Sequence, residues 1–256
     1  LTRQQLKDIA QLSRSKGRRQ QGRFLVEGLR SVESAVSAGA PLEVVLITPE
    51  AEADARVAAV LRRTSAPVHS VAARDLDRVS DARTSQGVLA VSRSVVGDGA
   101  GPFDTPALLL DGVQDPGNVG ALVRTAAWFG VRTVVGDEDT ADFENPKAVR
   151  ASMGGVWDVV LARVPDLGPV LDRLAADGVA LWGADLGGTS VADWDPGQAA
   201  ALVMGSEAHG LSASVSERLR RSGGGLVHIS GAEGARGVES LNVSVAGGVL
   251  LARWLG

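Results

Sequence analysis

The period of the apolar positions changes along this chain near residue 105. Residues 3–16 read as a short amphipathic helix, and residues 22–38 as a second, with Phe24, Leu25, Leu29, Val32 and Val36 close to helical spacing. Short apolar runs predict strands at 42–47, 67–71 and 86–91, separated by helices at 50–64 and 74–79. Together these describe a small αβ domain over residues 1–96. Gly97-Asp98-Gly99-Ala100-Gly101-Pro102 opens a linker, placed at 97–105. From 106 to 256 strands and helices alternate. Strands are expected at 107–111, 131–136, 157–163, 179–184, 200–204 and 226–229, and helices at 117–129, 146–153, 166–177, 212–221 and 238–254. Short apolar strands between helices predict an α/β fold with a parallel sheet covered on both faces. Ligands of such sheets bind beyond the carboxyl ends of the strands. The loops that follow strands are therefore where chemistry is expected.

Composition narrows the picture. The 256 residues include no cysteine, which excludes a disulfide framework and a thiolate metal site. His69, His209 and His228 are too scattered to predict a zinc cluster, so no metal is expected. No apolar run reaches membrane-span length, and the N-terminus lacks the apolar stretch of a signal peptide; a cytoplasmic protein is expected. The net charge of −4 hides an asymmetry. Residues 1–30 carry Arg3, Lys7, Arg14, Lys16, Arg18, Arg19, Arg23 and Arg30 against only Asp8 and Glu27, a segment of +6, with −10 over the rest. That bias reads either as a polyanion contact or as a solvated basic helix face. Tyrosine is absent and phenylalanine sparse, so any RNA contact is expected to rest on charge more than on aromatic stacking.

Three strand-to-helix loops stand out. Asp111-Gly112-Val113-Gln114-Asp115-Pro116-Gly117-Asn118-Val119-Gly120 leads into a helix carrying Arg124. It reads as an anion site at a helix N-terminus or as a plain capped helix with a surface arginine. Its glycines do not spell G-x-G-x-x-G, which argues against a dinucleotide-binding enzyme. Leu202-Val203-Met204-Gly205-Ser206-Glu207-Ala208-His209-Gly210-Leu211-Ser212 again ends a strand; Gly205 permits close backbone approach, Glu207 can cap a helix or orient a base, and His209 reads as a loop residue. The third runs from Leu226-Val227-His228-Ile229-Ser230-Gly231 to Gly237-Val238-Glu239-Ser240-Leu241-Asn242-Val243-Ser244. Ser240, Asn242 and Ser244 among apolar neighbours read either as a serine cap or as polar groups that meet a ligand.

In this order, D-G-V-Q-D-P-G-N-V-G-A-L-V-R-T-A, L-V-M-G-S-E-A-H-G-L-S and V-E-S-L-N-V-S-V-A resemble the three motifs of the SpoU family, RNA ribose 2′-O-methyltransferases that use S-adenosylmethionine. Residues 145–154, Phe24-Leu25-Val26-Glu27-Gly28 and Gln86-Gly87-Val88 resemble further family segments, so the likeness spans nearly the whole chain. It implies a catalytic domain with a deep trefoil knot, a ribosomal-protein-like RNA-binding domain before it, and a homodimer with the cofactor bent inside the knot. A ribosomal RNA substrate is favoured over transfer RNA.

The resemblance also assigns roles. Arg124 belongs to the catalytic step, supplied from the opposite subunit; Asn118 lies beside the reacting centre; Glu207 orients active-site groups; Ser240 and Asn242 face the methyl donor or the ribose. Gly205, Ile229 and Leu241 hold the adenine end of S-adenosylmethionine through their backbone. From charge, Arg18, Arg19 and Arg23 of the basic start, together with Lys147 and Arg150 of the 145–154 segment, are the candidate RNA phosphate contacts. The family's Ile-Pro-Met is replaced here by Ile229-Ser230-Gly231, followed by a longer loop containing Arg236, which predicts a more flexible cofactor wall.

Overall fold

The structure is a computed structural model that describes residues 1–81, 85–231 and 240–256. Along the chain the elements are α1 (Arg3–Ala10), α2 (Ser15–Gln21), β1 (Arg23–Glu27), α3 (Leu29–Ser37), β2 (Leu42–Ile47), α4 (Pro49–Glu52), α5 (Ala55–Leu61), β3 (Val68–Ser70), α6 (Ala73–Val79), β4 (Val88–Arg93) and β5 (Val96–Gly97). They continue as β6 (Ala107–Asp111), α7 (Pro116–Trp128), β7 (Thr133–Gly136), α8 (Pro146–Ser152), β8 (Val160–Arg163), α9 (Gly168–Ala176), β9 (Ala180–Ser190), β10 (Ala200–Gly205), α10 (Ala213–Arg221), β11 (Gly225–His228) and α11 (Val243–Leu255).

These form two units. The first holds residues 1–95 together with 142–158, and the second holds 96–141 and 159–256. In the first, a four-stranded sheet runs β1-β4-β2-β3, with β4 antiparallel to both neighbours. The helix expected over 22–38 is a strand followed by a helix. Phe24, Leu25 and Val26 are all fully buried, as a strand covered on both faces requires. Gly22 and Gly28 bracket it at φ 60° and 83°, a backbone region that side chains resist. The apparent helical spacing joins the interior of β1 to the buried face of α3.

Residues 142–158 are pinned to the first unit by side chains. Glu144 accepts from the Ser94 hydroxyl at 2.8 Å and the Val95 N–H at 2.9 Å, and burial raises its pKa above the ordinary carboxylate value. Val149 joins the core that includes Phe24 and Val26, and Trp157 stacks on Phe24 with ring centroids 6.4 Å apart.

The second unit is a seven-stranded sheet, β11-β9-β10-β6-β7-β8-β5, in which every neighbouring pair is parallel. Leu108, Leu109 and Leu110 of β6 are fully buried, as expected for a central strand. The expected linker is not loose. It starts in the edge strand β5, Arg173 donates to the carbonyls of Gly99 and Gly101 at 3.2 and 2.7 Å, and the same guanidinium lies 4.2 Å over the Phe103 ring.

Candidate active site

β6 and β10 are adjacent and parallel, so the loops leaving their carboxyl ends emerge side by side. After β6, Asp115 caps α7 by accepting the Asn118 N–H at 3.0 Å, with Pro116 as the first helical residue. That turn fixes Asn118 in the first helical turn. Its side-chain amide donates to Glu207 Oε1 at 2.6 Å, and its Oδ1 accepts from the side-chain amide of Asn242 at 3.1 Å. One residue from each loop therefore joins a single hydrogen-bonded chain, Glu207–Asn118–Asn242. Bonding to an ionised carboxylate makes the first link the stronger one.

Asn242 also settles how the last helix begins. Its Oδ1 accepts the N–H groups of Ser244 and Val245 at 3.0 and 3.3 Å, so Asn242 rather than Ser240 is the cap, and the helix starts at Val243. Ser240 and Leu241 precede it and are exposed. Gly237, Val238, Glu239 and Arg236 lie outside the described residues.

The Glu207 loop is held tight. Ser206 and Gly210 exchange backbone hydrogen bonds at 3.0 and 2.9 Å. A Cβ on Gly205 would lie 2.3 Å from the Gly210 carbonyl carbon, so this position requires glycine for its close approach. The loop ends at Ser212, whose N–H donates to Asp111 Oδ2 at 2.6 Å.

Asp111 had no role in the sequence reading, although an acid ending the run Ala-Leu-Leu-Leu is a signal in itself. It ties the end of β6 to the start of α10. Burial raises its pKa above the usual carboxylate value, the hydrogen bonds from Ser212 pull it down, and Asp137 and Asp139 repel it. A carboxyl with a raised folded pKa binds more protons folded than unfolded, so its contribution to stability is largest at low pH and falls as pH rises through the folded value. Asp111→Asn keeps the acceptor and removes the charge. Its melting temperature relative to wild type is expected to improve as pH rises from about 3, below the ordinary carboxylate value, to neutral, as read by calorimetry; an equal difference across that whole range would show an ordinary carboxyl. Asp111→Ala strands the Ser212 N–H and should cost about 1–3 kcal/mol.

Arg124 lies six residues beyond Asn118 on α7, is exposed, and makes no hydrogen bond or ion pair among the described residues. Trp128, one turn further, is 83% exposed. Leu241, Val245 and Val249 form an exposed apolar row at four-residue spacing, from the residue before the α11 cap into the helix. α7 and α11 pack closely: a Cβ on Gly247 would meet Leu122 at 2.4 Å, and Gly248 approaches Thr125.

Ile229 follows β11, which is separated from β10 by β9. The wall expected to loosen at Ser230 has its own brace. His228 Nδ1 lies 2.8 Å from the Gly188 carbonyl and donates to it, and Ser230 Oγ lies 3.1 Å from Nε2 and donates in turn.

The first-unit candidates separate. Arg18 is 3% exposed; it pairs with Asp142 at 2.6 Å and donates to the carbonyls of Leu12 and Ser13, so its charge is spent inside the unit rather than offered to RNA. Arg19 is exposed, and Arg23 bonds Glu43 and Gln21. Arg150 pairs with Glu27 and Asp81, and Lys147 heads α8 with its N–H on Asn145.

A parallel sheet with two capped helices and a polar chain converging at its carboxyl edge defines an α/β protein with a ligand site of the enzyme type. Residues 106–252 match the SpoU rRNA Methylase family, and residues 3–90 match the MRM3-like substrate binding domain. The chain belongs to the SpoU rRNA methylase family. It is 30% identical over 254 residues to the 23S rRNA (guanosine(2553)-2′-O)-methyltransferase RlmP of Bacillus subtilis, covering 97% of this chain and 94% of that one. Among solved structures it is similar to the SpoU methyltransferase AviRb of Streptomyces viridochromogenes in complex with AdoMet, with a TM-score of 0.85, 27% identity, and coverage of 98% and 97%. It is also similar to an AdoMet-bound rRNA methyltransferase of Sinorhizobium meliloti, with a TM-score of 0.80, 28% identity, and coverage of 99% and 94%.

Proposed function

We propose that this protein transfers the methyl group of S-adenosylmethionine to a ribose 2′-hydroxyl of ribosomal RNA. The observation that carries the reading is the Glu207–Asn118–Asn242 chain, which joins the three motif loops at one sheet edge while leaving Arg124 unpaired among the described residues. Family membership and the 2′-O-methyltransferase relative support the reaction.

The local backbone fits such a cofactor. The N–H groups of Ile229 and Leu241 donate no hydrogen bond among the described residues, and Gly205 ends its strand without a side chain. These three positions would hold the adenine end. When bound, S-adenosylmethionine supplies a methyl on a sulfonium, an electrophile that needs no further activation. The chain's own task is to align and assist a weak nucleophile. Glu207 fixes the Asn118 amide, and Asn118 and Asn242 present a rigid polar edge to the ribose, with Ser240 beside it. A guanidinium is a cation and not a base at neutral pH, so the role open to Arg124 is electrostatic. It holds the target phosphate and stabilises negative charge growing on the 2′-oxygen. The hydroxyl proton passes to a substrate phosphate oxygen.

The reading includes a homodimer in which the Leu241, Val245 and Val249 row and Trp128 are covered by a second copy, which brings Arg124 to the partner's site. It includes α11 threaded through a knot, a substrate-binding segment over 1–96, a linker at 97–105 and a catalytic segment over 106–256, with action in the cytoplasm. No helix of the described residues is long and apolar enough to cross a membrane, and no group of metal-binding side chains occurs among them.

Methyl transfer from labelled S-adenosylmethionine to unmodified ribosomal RNA, followed by mapping of the product, tests the function. Label on a ribose 2′-oxygen is expected; label on a base, or on transfer RNA alone, would refute it. Light scattering tests the dimer: Val245→Glu should shift the protein from dimer to monomer and suppress transfer, and a monomeric wild type would remove that part of the reading.

A further inference from the structure

Within the first unit, a cavity of about 190 Å³ lies where β1 turns into α3, lined in part by Glu27, Gly28, Arg30, Ser31, Gln86 and Arg150. It is smaller than the roughly 300–1,000 Å³ typical of sites for whole small ligands, and suits one part of a larger molecule.

Its polar groups are unevenly satisfied. Arg150 is committed to Glu27 and Asp81, and Glu27 also accepts the Asp81 N–H at 2.5 Å, so Arg150 is not free for a ligand and one carboxylate charge stays uncompensated among these three groups, which Arg30 alone offsets at the cavity. α3 is nine residues long, and its cap position is Gly28, which supplies no capping side chain. Gln86 Oε1 accepts the Leu29 N–H at 3.2 Å. The next two N–H groups, of Arg30 and Ser31, take no partner among the described residues. Ser31 is only 5% exposed, and its hydroxyl also makes no hydrogen bond among the described residues. The hydroxyl is not sealed in the core but opens onto the cavity, whose lining includes Ser31. Arg30 is exposed, with no ion pair among the described residues.

We infer that this cavity is a phosphate subsite for the RNA substrate, in which one phosphodiester is held by the Arg30 guanidinium, the free N–H groups opening α3 and the Ser31 hydroxyl. A helix N-terminus and an arginine fork both favour a phosphate. The inference rests on the reading that this chain acts on RNA. It moves RNA recognition in the first unit from the basic α2 residues to the turn after β1.

Arg30→Gln and Ser31→Ala test it in the full-length protein, with ribosomal RNA transcripts titrated at several salt concentrations. Arg30→Gln is expected to raise Kd about tenfold and to reduce the slope of log Kd against log salt by about 0.7–0.9, the loss of one phosphate contact. Ser31→Ala should raise Kd less. Melting temperature and S-adenosylmethionine affinity should be unchanged in both. Wild-type affinity and slope in Arg30→Gln would overturn the subsite while leaving the proposed reaction standing, provided wild type still methylates. A wild type that binds RNA but transfers no methyl would sink the reaction, and the Arg30→Gln titration would still decide the subsite; a wild type that binds no RNA sinks the subsite too. Inorganic phosphate provides the last arm: submillimolar binding lost in Arg30→Gln, with RNA affinity unchanged, would make this a small-anion site and overturn the RNA assignment.

Discussion

Arg124→Ala is expected to lower kcat for methyl transfer by at least about 10²–10³-fold, the size of effect seen when one donor to a developing oxyanion is removed. The side chain is exposed and carries no hydrogen bond or ion pair among the described residues, so folding has little stake in it. Melting temperature should stay within about 2 °C, since surface changes of this kind are usually worth less than roughly 0.5 kcal/mol. S-adenosylmethionine affinity, measured by calorimetry without RNA, should be nearly unchanged. Single-turnover transfer with saturating RNA separates the outcomes. Substantial residual turnover would mean that Arg124 does not touch the reacting atoms. Arg124→Lys is a sharper probe, because lysine keeps the charge but not the planar fork. If the fork holds both phosphate and hydroxyl, lysine should restore RNA affinity more than turnover.

Asn118→Ala is the second large loss expected. It removes both links of the chain at once: Glu207 loses its donor, and the side-chain amide of Asn242 loses its acceptor. A hydrogen bond to an ionised carboxylate is worth about 1.5–3 kcal/mol, so kcat/KM should fall by roughly 10–150-fold from that bond alone, and further if Asn118 also meets the ribose. Asn118→Asp tests the direction of the bond. Aspartate can accept from Asn242 but faces Glu207 as a like charge, so it should be at least as damaging as alanine at neutral pH and partly recover as pH falls. A flat pH profile for Asn118→Asp would contradict the assignment of the 2.6 Å contact as amide donor to carboxylate.

The β/α alternation of the second unit was legible because each strand is a short apolar run and each helix carries its own start signal. Asp115-Pro116 and Ser212 open α7 and α10 within one residue of the starts expected at 117 and 212. Residues 22–38 show apparent helical spacing because a fully buried strand has no alternation, and only Gly22 and Gly28 mark the breaks on either side of it. The motif residues could be named from the sequence, but their joining could not. Asn118 meets a carboxylate 89 residues away and an amide 124 residues away, distances that no local pattern reports. Arg18 shows the converse: in the sequence it is one of a run of basic residues, and only its pairing with Asp142 reveals an internal strut. Asp111 was hidden for a related reason, since its partner is a backbone N–H.

The return of residues 142–158 to the first unit has a consequence for biosynthesis. Sixty-three positions separate Val95 from Asp158, and most of that interval belongs to the second unit. At about 5–20 residues per second, the ribosome takes several seconds to deliver them. Throughout that interval the nascent first unit lacks Val149 against its core and Trp157 against Phe24. Its apolar surface waits for a segment not yet made, so translation speed across this stretch, and any chaperone able to shield the gap, bears on the yield of folded protein.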